Sequence, residues 1–168
     1  MIGKITQGKY FAGLIKYVTA KEGAYLLDSE GVLLQSLPGL IRSFETQSRM
    51  RPSLSNKVGH ISLNFSPRDK DRMTDEYMTG IAREYLQGMG ITDTQYLIVR
   101  HTDREHPHCH IVFNRVNNAG QPLKDSNNFR KNRDICKGIT LTHKLYMPQG
   151  KENIKIDHLR EPYRTKYE

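Results

Sequence analysis

Apolar side chains recur along this chain with two periods, and the change from one to the other marks its elements. Over "KYFAGLIKYVTA", Phe11, Leu14, Ile15 and Val18 fall at i, i+3, i+4 and i+7, which predicts an amphipathic helix, with Gly23 suited to the left-handed position that ends it. "LPGLIRSFETQSRMRP" repeats the pattern with Leu37, Leu40, Ile41 and Phe44 and stops at Pro52. In "VGHISLNFSP" the period drops to two. Val58, His60, Ser62 and Asn64 alternate there with Ile61, Leu63 and Phe65, predicting a half-buried strand closed by Pro67. "MTDEYMTGIAREYLQGMGI" returns to helical spacing, with Asp75 and Glu76 in its first turn and Gly88 or Gly90 at its end.

"TQYLIVRHTD" and "HCHIVFNRVN" read as two strands joined through "REHP", and "NNAG" turns the chain again. "ITQG" reads as a short opening strand, and "AYLLDSEGVLLQ" as an irregular segment or a weak hairpin about "DSEG". "SNNFRKNRDICKGITLTHKLY" reads as a last helix capped by Ser126. Strands in pairs with helices to one side make an α+β fold, a two-layer sandwich on a central antiparallel sheet.

The 168 residues fit a single domain, and 36% hydrophobic with 26% charged residues is an ordinary globular composition. Residues 147–168 form a basic tail with an abrupt end, so the domain reads as the N-terminal part of a longer protein. No apolar run is long enough for a signal peptide or a membrane span. Cys109 and Cys136 lie far apart without a CxxC pair, which argues against a disulfide framework or a zinc ribbon and for a reducing cytoplasm. The formal charge of +8 changes the picture more: it points to a polyanionic partner, with nucleic acid first.

The chemistry concentrates in "RHTDREHPHCHIVFNRV". Residues two apart on a strand share a face, so His108 and His110 project together while Cys109, Ile111 and Phe113 face the other way. His101 ends the preceding strand, and the short connection through Pro107 brings it back beside them. Three imidazoles then converge on one divalent ion and leave positions open for substrate oxygens, as a catalytic metal requires. Asp103 has the parity to hydrogen-bond one ligating ring and hold its tautomer. His106 falls in the connection and reads as a surface or DNA-facing residue. With no partner cysteine and no HExxH helix, neither a structural finger nor a zincin peptidase fits.

A basic chain with such a centre suits chemistry at a nucleic-acid phosphate, with a metal-bound water or a side chain as nucleophile. Most of the nine tyrosines have structural readings: Tyr77 and Tyr85 on a helix, Tyr96 in a strand, Tyr163 and Tyr167 in the tail. Tyr17 stands at the edge of the first apolar stripe, near the helix end and after Lys16, where a phenol can reach toward the sheet or simply pack as an amphipathic side chain.

"HTDREHPHCHIVFNRV", as HxDxxxPHxH, resembles the three-histidine motif of plasmid and conjugative-element relaxases, the HUH-type DNA strand transferases. "LIKYVTAKEG" is similar to their nucleophile motif, and the order of motifs over residues 3–146 resembles most closely the MobP class. The resemblance implies an HUH endonuclease palm with a ferredoxin/RRM-like core. It implies Tyr17 as nucleophile, His101, His108 and His110 as metal ligands, and Asp103 as the carboxylate behind them. Where relatives often carry a Ser or an acidic residue, this chain has Asn64, which is expected to position DNA but not to act as a base; Asp103 through His101, or a water, remains available as one.

The implied reaction is metal-assisted transesterification at an origin of transfer in single-stranded DNA, leaving a 5′-phosphotyrosyl link and initiating mobilization. Imidazoles alone would suit zinc; the resemblance implies magnesium or manganese. It also implies an accessory relaxosome DNA-binding protein and a coupling protein as partners, no membrane, and a bacterial cytoplasmic location with passage into the recipient alongside the DNA. Candidate DNA contacts are Lys16, Asn64, Arg100, Arg104, Arg115, Lys124, Arg130, Lys131 and Arg133, with "FRKNRDICK" the densest cluster. Competing readings are a rolling-circle replication initiator or single-strand transposase of HUH type, a non-catalytic DNA-binding protein retaining the metal site, and a metallohydrolase using water.

Overall fold

The computed structural model describes residues 1–147, so the basic tail expected from 147 onward lies outside them apart from Met147. The elements are β1 (Ile2–Gly8), α1 (Phe11–Ala20), β2 (Tyr25–Glu30), α2 (Leu37–Ser48) and β3 (Val58–Asn64), then a 3-10 turn (Pro67–Arg72). After it come α3 (Asp75–Met89), β4 (Tyr96–His101), β5 (His108–Asn114) and α4 (Asn128–Thr142). The five strands form one sheet in the order β1-β3-β5-β4-β2 with antiparallel neighbours throughout, so the α+β class on a central antiparallel sheet is present. Among the described residues, no helix is long and apolar enough to cross a membrane.

The helices, expected on one side, divide between both. Ile61, Leu63, Ile98, Cys109, Ile111 and Phe113 form one core with α3 and α4. Val58, Leu97, Val99 and Val112 form a second with Phe11, Ile15 and Val18 of α1 and Leu40 and Phe44 of α2. The two sets sit at opposite parity on the same strands. Both sheet faces are therefore apolar, and each needs a cover. For the same reason β3 is buried along six of its seven residues instead of half-buried.

The local signals act as physical chemistry predicts, with three differences. Thr74 caps α3 by accepting from the Tyr77 amide, and Gly90 closes it in the left-handed region. Ser36 accepts from Gly39 at the start of α2. Gly23 does adopt positive φ, but in the turn after α1, where the Ala24 amide donates to the Lys21 carbonyl. The segment read as irregular or a weak hairpin is the single edge strand β2, paired to β4 with a register shift at Leu27. α4 is capped at Asn127 rather than Ser126, through a left-handed backbone and without a side-chain bond.

Candidate metal centre

Antiparallel register sets the ligand positions. His101 on β4 pairs directly with His108 on β5, and His110 follows two residues on, pointing to the same face. The three side chains are buried, and each offers one ring nitrogen, all within 4.8 Å of one another. Ring centroids are 4.2 Å apart for His101 and His110 and 5.6 Å for His108 and His110. The hydrogen bonds assign which nitrogen each ring would present. His101 Nε2 donates to the Val18 carbonyl at 2.8 Å, leaving a buried Nδ1 that has no hydrogen-bond partner. His108 Nδ1 donates to the His106 carbonyl, leaving Nε2. His110 Nδ1 lies 2.9 Å from His60 Nε2, which again leaves Nε2.

A buried polar atom without a partner costs free energy, and an ion at His101 Nδ1 would remove that cost. The protonation state suits the same role. Burial lowers the pKa of His101 and His108, and burial together with the neighbouring imidazoles of His60, His101 and His108 takes His110 down to about 2. Neutral rings are the form that binds metal. The residues present therefore fit a divalent cation.

Asp103 does stand against a ring of the cluster, but against His108 and not His101. Its Oδ1 is 3.2 Å from His108 Nε2, and its Oδ2 is 2.8 Å from Lys21 Nζ. Burial pushes this carboxyl up, but the hydrogen bond and charge of Lys21, with a hydrogen bond from the carboxyl's own backbone, more than offset that and hold it at about 2. Tyr17 is half-buried on α1, its ring edge-on to His101 at 6.5 Å between centroids. The backbone of the next residue anchors His101, so α1 brings the phenol and a tie to the cluster together.

The expected DNA contacts separate. Lys16 and Arg104 are exposed beside Tyr17 and Asp103 in the chain, and the charge of Arg104 reaches His101 and His106. Asn64 accepts from His106 Nε2 at 3.1 Å and so ties the end of β3 to the connection; His106, expected at the surface or facing DNA rather than as a ligand, is half-buried against His108 and outside the ligand cluster. Arg100 faces the other layer, donating to Met73 and Asp75 at the start of α3. Arg115 is buried, 6% exposed, and donates to the carbonyls of Asn56 and Leu123. Lys124 is an exposed loop residue, and Arg130, Lys131 and Arg133 are exposed on α4, on the face opposite the imidazoles. Lys131 Nζ donates to Met89.

Two residues of the site went unnoticed in the sequence, His60 and Lys21. The available signals were His60's parity with Asn64 on a predicted strand, and Lys21's place one helical turn beyond Tyr17.

An antiparallel sheet carrying a buried all-imidazole cluster on adjacent strands, with a tyrosine helix laid across it, defines a candidate metal-dependent nuclease domain. The family model described as "Relaxase: MobA/VirD2-like, nuclease domain" matches residues 17–145, most of the chain, and the chain belongs to this family. Its members use divalent metal ions, in keeping with the His101, His108 and His110 cluster. No curated protein matches the chain.

Proposed function

We propose that this domain nicks single-stranded DNA at an origin of transfer by transesterification and so initiates mobilization, in the manner of the MobP class. Tyr17 attacks the scissile phosphorus; the new Oη–P bond forms as the P–O3′ bond breaks. The phenol proton ends on the departing oxygen, giving a 5′-phosphotyrosyl link and a free 3′-OH. No water is consumed, so the reverse step rejoins the strand. His101, His108 and His110 would hold magnesium or manganese, which when bound relieves charge at a non-bridging phosphate oxygen. His60 orients the His110 ring, and the Val18 carbonyl orients the His101 ring. Lys16 and Arg104 are exposed next to Tyr17 and Asp103 in the chain and would hold flanking phosphates. An accessory DNA-binding protein and a coupling protein complete the reading, in a bacterial cytoplasm from which the protein travels with the DNA.

The observation that carries this reading is the approach of the Tyr17 ring to an imidazole set with an orphaned, buried nitrogen. Covalent capture tests it. The chain and its Tyr17→Phe form are incubated with manganese and single-stranded oligonucleotides tiling the DNA beside the gene, then run on a denaturing gel. The expected result is an adduct that chelator and Tyr17→Phe both abolish. Cleavage that survives Tyr17→Phe would assign the nucleophile to water or to another side chain.

A further inference from the structure

A chain of polar contacts runs from Tyr17 into the imidazole cluster. The Lys21 ammonium sits 5.6 Å from the centroid of the Tyr17 ring and 2.8 Å from Asp103 Oδ2, and the other oxygen of that carboxylate lies 3.2 Å from His108 Nε2. Lys21 follows α1 directly, and the tight turn through Gly23 carries the chain away behind it. Thr102 Oγ1 donates to the Gly23 carbonyl at 3.0 Å and pins that turn to the segment bearing Asp103. The ammonium is thus held between the phenol and the carboxylate, its side chain 32% exposed. Its charge reaches the Tyr17 phenol as well as Asp103.

A free phenol titrates near pH ~10 and is a poor nucleophile while protonated. A fixed cation at its oxygen lowers the barrier by meeting negative charge as the proton leaves. We propose that Lys21 is a catalytic residue of the transesterification, donating a hydrogen bond to the Tyr17 oxygen while Asp103 holds it there. This rests on Tyr17 being the nucleophile. Lys21 keeps its protons throughout: the Oη–P bond forms, the P–O3′ bond breaks, and the phenol proton ends on the 3′ oxygen. Asp103 acts through Lys21 and is a positioning residue.

The test uses the full 168-residue chain with manganese. Sequences captured from a random single-stranded oligonucleotide library serve as substrate for the unsubstituted, Lys21→Met, Lys21→Arg and Tyr17→Phe forms. Three quantities are read: the single-turnover rate of adduct formation at saturating DNA, the Kd for DNA, and the Kd for manganese. With Lys21→Met the rate is expected to fall about 10²-fold while both Kd values hold, and Lys21→Arg should keep it within roughly tenfold. An undiminished rate at saturating DNA beside a raised Kd for DNA would make Lys21 a phosphate contact only. A rate restored by more manganese would make it only a support for Asp103. Either result overturns the proposal, as does a Lys21→Met form of undiminished rate beside an inactive Tyr17→Phe form. An adduct that survives Tyr17→Phe, or none from the unsubstituted chain, removes the nucleophile reading and this inference with it.

Discussion

A single ring nitrogen shows how closely this centre is specified. His60 meets His110 Nδ1 at 2.9 Å, the rings stacked at 5.2 Å between centroids, so the face His110 turns to the cluster is fixed by a residue fifty positions earlier. Burial brings His60 itself down to about 4, and it stays neutral at physiological pH. Removing it leaves His110 Nδ1 buried without that partner and free to change tautomer. His60→Ala is expected to weaken manganese binding by 10–100-fold, the usual cost of losing a partner behind a metal ligand, as read by calorimetric titration. The histidines at 101, 108 and 110 were legible because strand parity and one short connection place them together. His60 and Lys21 were not, because each acts on a partner far along the chain: β3 must pair with β5 before His60 meets His110, and the end of α1 must reach the loop after β4 before Lys21 meets Asp103.

Among the elements, the helices were legible wherever one apolar face governs. Ile15 and Phe44 are fully buried at positions the helical period picks out. β2 failed that test for a physical reason: at the sheet edge it exposes Tyr25 and Leu26, pairs Asp28 with Arg83, and skips register between them, so no clean alternation survives. β3 shows how tightly its place in the sheet is determined. A Cβ at Gly59 would meet the Phe113 ring, directly across on β5. Both residues belong to the pair of strands that holds His60 and His110. Gly59→Ala is expected to cost about 1–3 kcal/mol through overpacking, seen as a lower denaturant midpoint with an unchanged slope.

At the scale of the whole molecule, the charge of +8 is not one surface. Arg100 and Arg115 are ties within the fold, and Arg130 and Lys131 lie on the layer opposite the imidazoles. Composition counts cations but does not say which face they occupy; the sheet decides that. Single-strand binding should therefore depend on Lys16 and Arg104. Lys16→Ala and Arg104→Ala are each expected to reduce the slope of log K against log salt by about 0.7, while Arg130→Ala leaves it unchanged, as measured by fluorescence anisotropy across a salt series.

Val18 and His101 are 83 residues apart, and their contact closes the site only once α1 lies on a sheet whose middle strands come late in the chain. On the proposed chemistry this separates two kinds of permanence. A phosphotyrosyl bond at Tyr17 is covalent and outlasts unfolding, whereas the imidazole set exists only in the folded sheet. An unfolded chain would stay attached to its DNA with no means of letting go, and refolding would return the ability to reseal. The fold would then work as a lock on its own product, shut by denaturation and opened by recovery of five paired strands.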